Sequence, residues 1–120
     1  MEDSLRLLQT ITHAIDDKLG QDIVALKVSQ LTPLADYFVI CSARNDRQVD
    51  AITEAVIEEV YKAGYAIKNI EGRSTNQWVL VDCLDVIVHI FGPDERAHYN
   101  VEKLWADAPI LSPKEMGLGE

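Results

Sequence analysis

Hydrophobic residues recur along this chain with two different periods, and the periods predict where helices and strands lie. Near the start they recur every three or four residues, which is typical of one face of an amphipathic helix. We expect this first helix at about residues 4–19, before Gly20. Its hydrophobic stripe consists of Leu5, Leu8, Ile11, Ile15 and Leu19. The same period returns after Asn45 and predicts a second helix that ends at Gly64.

Runs of β-branched and aromatic residues predict the strands. They occupy the segments DIVALKVS, DYFVICS, YAIKNI, WVLVDC and DVIVHIF. A third helix is expected from Pro93, with Ala97, Val101, Leu104 and Trp105 on one side. This order predicts an α/β fold with a mixed sheet of about five strands and the helices mainly on one face. The other face of the sheet is then open to a partner.

A chain of 120 residues is long enough for one compact domain with its own core. We place this domain at residues 1–109 and expect residues 110–120, which contain Pro and Gly without a sustained pattern, to form a loose tail. No apolar run approaches the roughly 20 residues that a membrane helix needs. The segment MEDSLRLLQ lacks the basic and apolar stretches of a secretory signal, so we expect a cytoplasmic location.

The chain is acidic, with 20 Asp and Glu residues against 11 Lys and Arg and a formal net charge of −9. This charge opposes binding to bare phosphate backbones and favours encounter with a basic surface. Many soluble proteins are equally acidic only to remain dispersed, so the charge argues against some classes of partner but does not identify one. Cys41 and Cys83 lie in apolar runs and form no CxxC pair, so a zinc site or redox couple has little support.

The last two predicted strands form a hairpin with two different faces. With Cys83 and Leu84 as a two-residue loop, Asp82 lies opposite Asp85. One face then carries Trp78, Leu80, Asp82, Asp85, Ile87, His89 and Phe91. An apolar surface edged by charge is typical of a binding patch, and a cation from a partner or a metal ion would relieve the facing carboxylates. Alternatively, the third helix or the tail covers the aromatic rings, and the aspartates only solvate a turn.

The third helix offers a second group of polar residues. Arg96, Tyr99 and Lys103 are spaced three and four apart and lie away from the apolar stripe. They either extend the hairpin surface, for which Tyr is well suited, or form an ordinary solvated helix face.

Several motifs in order resemble the ribosomal silencing factor family, also called Iojap. They are DYFVICSA, EG followed shortly by WVLVD, DVIVHIF, R-x-x-Y and EKLWADAP, and the resemblance covers residues 5–109. It implies a shape related to nucleotidyltransferases and a protein that is not an enzyme. It also implies binding to the large ribosomal subunit through universal ribosomal protein fourteen, steric exclusion of the small subunit, and repression of translation under nutrient limitation.

The resemblance also implies a set of partner-binding residues. The family's surface motif falls on Trp78, Asp82, Asp85, His89, Phe91, Arg96 and Tyr99, to which the hairpin pattern adds Leu80. Trp105 is expected to be structural, and Leu84 departs from the Gly that many members have there. No catalytic residue, metal or cofactor is expected.

An enzyme acting on a nucleotide is the alternative, because the implied shape is shared with nucleotidyltransferases and the segment offers Asp82, Asp85, His89 and His98. Such chemistry needs a Gly-Ser turn for phosphates and carboxylates spaced for a divalent metal. The chain has no Gly-Ser pair, and Asp36 has no second acid two residues on. A metal site of Asp85 and His89 is disfavoured, since four residues of strand span roughly 13 Å.

The basic clusters and the apolar patch favour two further kinds of binding. The basic clusters at residues 44–47 and 68–73 are isolated in an acidic chain, so they favour at most a local contact with ribosomal RNA. An uncovered apolar patch can also pair with itself about a two-fold axis. We therefore expect a weak or moderate homodimer whose interface overlaps the partner-binding face.

Overall fold

A computed structural model of the protein describes residues 2–119. In chain order the elements are α1 (Glu2–Asp17), β1 (Gln21–Lys27), β2 (Tyr37–Ser42), α2 (Asp46–Lys62), β3 (Asn69–Glu71), β4 (Trp78–Asp82), β5 (Val86–Phe91), α3 (Glu95–Tyr99) and α4 (Val101–Leu104). The strands form one sheet in the order β1-β2-β5-β4-β3. Only β2 and β5 pair in parallel, and the other neighbours are antiparallel. The predicted α/β fold with a mixed sheet of five strands is therefore confirmed, while the likeness in shape to nucleotidyltransferases stays a prediction.

The two long helices pack together on one face of the sheet. Most of the predicted stripe of α1 is buried, whereas Leu19 lies after the helix and is 68% exposed. The Asn45 side chain caps α2 by accepting a hydrogen bond from the backbone N–H of Gln48. The main core also contains Val49, Ile52, Val56, Val60, Val79, Val81, Val86, Val88 and Ile90. Alternate residues of the central strands thus point to this core, as the period of a strand requires.

The opposite face of the sheet is covered only in part. Phe38, Ile40 and Phe91 are buried there with Val101 of α4, and Trp105 packs against the same cluster. The exposed residues Asn69 and Glu71 lie at the β3 edge of this face, because they pair with Asp82 and Leu80 of β4. The covered part therefore lies over β1, β2 and most of β5, and the open part lies over β4, β3 and the Ile87 end of β5.

The prediction of a single third helix is wrong, because the helix is broken at Asn100. This residue adopts a left-handed backbone with φ 52°, which asparagine tolerates better than most residues, and it separates α3 from α4. Ala97 and Leu104, expected on a buried stripe, are exposed, and Leu104 is 79% exposed. The break turns Val101 inward as the buried residue of α4.

Residues 110–119 are packed against the domain, which corrects the expected loose tail at residues 110–120, and Glu120 lies outside the described residues. Leu111 donates its N–H to the carbonyl of Ala25, so the segment extends the sheet beside β1. Met116 is 5% exposed, and its carbonyl accepts a hydrogen bond of 2.7 Å from Thr12 Oγ1. Isolated apolar residues anchor this segment, and they have no helical or strand period for the sequence to reveal.

Both cysteines belong to the main core. Cys41 and Cys83 are buried, and burial raises the pKa of each thiol to about 12, so neither is a nucleophile near neutral pH. Within residues 2–119, no helix is both long and apolar enough to span a membrane.

Candidate functional site

The β4–β5 hairpin has the predicted faces but a different register. Trp78 pairs with Phe91, Leu80 with His89 and Asp82 with Ile87. The predicted pairing of Asp82 with Asp85 is therefore wrong, since the loop consists of Leu84 and Asp85, closed by a 2.9 Å bond from Cys83 N to Val86 O. Each partner moves by two residues along β5, and because side chains alternate with a period of two, the strand residues keep their predicted faces, whereas Asp85 now belongs to the loop.

One accessible surface results from this register, and we call it the open patch. It consists of Trp78, Leu80, Asp82, Asp85 and Ile87 on the hairpin, together with Tyr99 of α3. Asp85 and Tyr99 are exposed, and the other members are half-buried. The open patch therefore combines apolar side chains with carboxylates at the turn.

The turn next to the open patch is held by specific hydrogen bonds. Asp82 Oδ1 accepts a bond of 2.9 Å from the backbone N–H of Leu84. Leu84 has a left-handed backbone with φ 72°, and its side chain is 49% exposed. The carbonyl of Asp85 accepts the N–H groups of Asp36 and Tyr37 at the start of β2. The turn is thus fixed to the neighbouring strand while the Asp85 side chain remains in solvent.

Trp78 is the centre of an aromatic cluster. Its ring centroid lies 4.5 Å from that of Tyr99 and 5.2 Å from that of Phe91. Its indole Nε1 donates a hydrogen bond of 3.1 Å to His89 Nδ1. Contacts of this kind restrict the ring to one orientation.

Two predicted contact residues, His89 and Phe91, lie beneath the open patch and not on it. His89 is 5% exposed and Phe91 is fully buried. Burial lowers the pKa of His89 to about 4, so the ring is neutral near neutral pH. Both residues support the patch from below in this structure.

Arg96, also predicted as a contact, is turned into the molecule. Its guanidinium binds both carboxylate oxygens of Glu102 at 2.8 and 3.0 Å, and it also donates to Ser42 Oγ and the carbonyl of Asp22. The bond from Arg96 lowers the pKa of Glu102. Because Asn100 breaks the helix, Arg96 and Tyr99 do not share a helix face with Lys103, and that prediction is wrong.

The structure adds a residue that the sequence pattern did not single out. Glu71 pairs with Leu80 at the edge of the sheet and is exposed beside the open patch. Its carboxylate accepts a hydrogen bond of 2.6 Å from Asn69 Nδ2. The position of Glu71 in the EG motif at the end of the third predicted strand was the available signal.

The described residues offer little for metal chemistry. Between residues 2 and 119, no three His, Cys, Asp or Glu side chains come together in a group that could hold a metal ion. His98 lies on α3, where its ring meets the edge of the Tyr99 ring at 5.0 Å.

Comparison with known proteins identifies the family. The model of the family "Ribosomal silencing factor during starvation" matches residues 1–118. The chain is similar to the ribosomal silencing factor RsfS of Halalkalibacterium halodurans, with 45% identity over 88% of this chain and 90% of the relative. It is also 30% identical, over 72% of this chain and 39% of the relative, to "Mitochondrial assembly of ribosomal large subunit protein 1" of Mus musculus.

The fold of this chain is also similar to that of a solved structure. The crystal structure of a Bacillus halodurans protein matches with a TM-score of 0.80 and 40% identity, over 89% of this chain and 97% of that chain. Since the family model covers nearly every residue and the bacterial relative is similar along almost its whole length, the chain belongs to the ribosomal silencing factor family.

Proposed function

We propose that this chain binds the large ribosomal subunit through universal ribosomal protein fourteen and thereby blocks docking of the small subunit. Translation falls as a result under nutrient limitation, and the protein acts in the cytoplasm without a cofactor. Family membership supports regulation of translation at the ribosome. The mouse relative, whose printed name concerns assembly of the ribosomal large subunit, supports the choice of subunit. The observation that carries the proposal is the open patch.

The two faces of the sheet are unequal, and this inequality supports the open patch as the contact surface. One face is covered by α1 and α2 and contains the main core. On the other face, Trp78, Leu80 and Ile87 keep part of their apolar surface in solvent. Apolar side chains surrounded by charged ones are typical of a protein interface.

The charge of the open patch favours a basic protein over bare RNA. Asp82, Asp85 and Glu71 place three carboxylates around the apolar centre. These charges repel phosphate groups and attract lysine and arginine side chains of a partner. The exposed residues Arg44 and Arg47, near the N-terminus of α2, are assigned a local contact with ribosomal RNA.

The mechanism is steric and involves no chemical step. His89, the most suitable proton carrier in the segment, is buried and accepts the Trp78 N–H, so it cannot reach a substrate. The relatives are named as silencing factors, which are regulatory proteins. The fraction of large subunits that are occupied then determines the extent of repression. This occupied fraction depends only on the affinity and the concentration of the protein.

Away from the ribosome, the open patch pairs weakly with a second copy of the chain. Burying Trp78 and Leu80 against their own copies stabilises such a dimer, while the like charges of Asp82 and Asp85 oppose it. Sedimentation equilibrium at low and high salt should show dimerisation that strengthens with salt. A monomer at millimolar concentration under both conditions would remove the dimer from the proposal.

Co-sedimentation with isolated subunits tests the proposed function. The parent chain should sediment with large subunits and not with small subunits, and light scattering should show slower subunit joining. Asp85→Lys should weaken large-subunit binding by about tenfold at low salt. Its side chain makes no hydrogen bond within residues 2–119, so the fold should be preserved. Asp17→Lys, an equal charge change on α1 across the sheet, is the matched control and should bind as the parent does.

Binding of the parent to neither subunit would refute the proposed function. Equal losses of large-subunit binding for Asp85→Lys and Asp17→Lys would show that only the net charge matters and that the open patch is not the contact surface.

A further inference from the structure

His89 makes one hydrogen bond in an otherwise apolar environment. Its Nδ1 accepts the indole N–H of Trp78, while Nε2 is buried and has no hydrogen-bond partner within the described part of the chain. The edge of its ring meets Phe38 at a centroid distance of 5.2 Å, and the ring lies nearly parallel to Phe91. A neutral imidazole carries one proton, so accepting at Nδ1 requires the proton on Nε2.

This arrangement is poor for stability alone. A buried N–H without an acceptor costs the full desolvation of the donor, and this cost is at least as large as the net contribution of the single bond at Nδ1. An apolar side chain of similar size would pack between Phe38 and Phe91 without that cost. The property that leucine or phenylalanine cannot supply at this position is the acceptor for Trp78.

We propose that His89 is the positioning residue of the open patch, holding the Trp78 indole for the partner without touching the partner itself. The inference rests on the proposed function and deepens it by assigning a role to a buried residue. Trp78 is held on three sides, by the His89 acceptor and by the rings of Phe91 and Tyr99. Without the acceptor the indole N–H must find water or a partner group, and only the rings of Phe91 and Tyr99 restrain rotation about the Trp78 side-chain torsions. A ring already held in its binding orientation loses less entropy on association.

The hydrogen bond can be tested without any ribosome. Trp105→Phe leaves Trp78 as the only tryptophan of the two in the chain. In this variant, nitrogen-15 NMR should show an unprotonated Nδ1 and a protonated Nε2 for His89, with slow solvent exchange of the Trp78 indole proton. A protonated Nδ1 in the folded protein would overturn the proposal, and it would do so whether or not the protein binds ribosomes.

A pair of variants with the same shape then tests the effect on binding. His89→Asn places an amide oxygen near the position of Nδ1, and His89→Leu has the same branched outline without an acceptor. Asn should be the less stable of the two because it buries an amide, yet it should bind large subunits within about threefold of the parent. Leu should be the more stable and should bind about five- to tenfold more weakly, since one hydrogen bond is lost.

Binding that follows stability would show a merely structural role and would overturn the proposal. Equal binding by His89→Leu and the parent, in folded proteins with matching melting curves, would do the same. Absence of binding by the parent would instead refute the proposed function and the binding role of His89, while the tautomer and indole exchange would still report the hydrogen bond.

Discussion

Arg96 and Glu102 join the two short helices across their break, with Arg96 Nε 2.8 Å from Glu102 Oε1 and Arg96 Nη2 3.0 Å from Glu102 Oε2. Arg96 also reaches the sheet through Ser42 Oγ at the end of β2. Its side chain is only 15% exposed. One residue therefore holds the segment that brings Tyr99 onto Trp78, and a residue predicted as a contact becomes a support of the patch.

Removal of this support should affect both stability and binding. Arg96→Met should lower the free energy of unfolding by about 2 kcal/mol, because the Glu102 carboxylate and the Ser42 hydroxyl lose their donor. Large-subunit binding should weaken as well, since Tyr99 loses its position. Urea denaturation and co-sedimentation measure the two effects, with Arg6→Met, at an exposed arginine of α1, as the control. An Arg96→Met variant as stable as the parent would contradict this role.

The pH dependence of stability should report the burial of His89. The unfolded chain takes up a proton on this ring near pH 6.5, but the folded chain does so only near pH 4, because burial lowers its pKa to about 4. The unfolded state therefore binds more protons between these values, and stability falls by up to about 3 kcal/mol as pH drops from about 6.5 to about 4. Urea denaturation at several pH values measures this slope.

His89→Leu serves as the control for that measurement. It should flatten the slope without abolishing it, because the lowered pKa of Glu102 also makes stability fall on acidification. An unchanged slope in His89→Leu would show that other groups produce the pH dependence.

The turn should show a conflict between stability and binding at Leu84. Leu84→Gly should raise the free energy of unfolding by up to about 1 kcal/mol, because glycine adopts the left-handed backbone without steric cost. It should also weaken large-subunit binding, since an exposed apolar side chain beside the open patch is lost. Leu84→Ala keeps the backbone strain and removes the same contact. Chemical denaturation that finds Leu84→Gly less stable than Leu84→Ala would contradict this interpretation.

The packed end of the chain should contribute to stability without contributing to binding. Met116→Ala should lower the free energy of unfolding by about 2 kcal/mol, because a buried side chain against α1 is replaced by a cavity. Lys114→Ala, at an exposed position of the same segment, should have no measurable effect. Co-sedimentation of Met116→Ala with large subunits should match the parent at a temperature where both are folded, and a specific loss of binding would place the tail in the interface.

The elements with a strong period were predictable from the sequence. The hydrophobic stripes of α1 and α2 each repeat over about three turns within the helix, so only the ends of these helices moved. The hairpin faces were also correct, although the register was not, because a shift of two residues leaves alternation unchanged. The loop position itself depends on the Asp82 side chain and the left-handed Leu84, which the period does not encode.

The features that the sequence did not predict depend on contacts between residues that are distant along the chain. The break at Asn100 is held by Arg96 reaching across to β2, and the tail is held by Thr12 and Ala25, which are far away in sequence. Among the candidate contact residues, Trp78, Leu80 and Asp82 lie on one face of the hairpin, as the alternating pattern indicated, whereas Asp85 lies in the loop and Tyr99 lies on α3. His89 and Phe91 share that face of the hairpin, but the packing of Trp78 and Tyr99 above them is a tertiary feature.

Site-directed photocrosslinking tests the central claim most directly. A benzoylphenylalanine in place of Leu84, at the exposed turn of the open patch, should crosslink to universal ribosomal protein fourteen when the chain is irradiated with large subunits. The same group in place of Glu58, exposed on α2 across the sheet, should not crosslink to that protein. Crosslinks to universal ribosomal protein fourteen from Leu84 alone are the predicted result; crosslinks from Glu58 alone, or from Leu84 only to other components, would contradict the account.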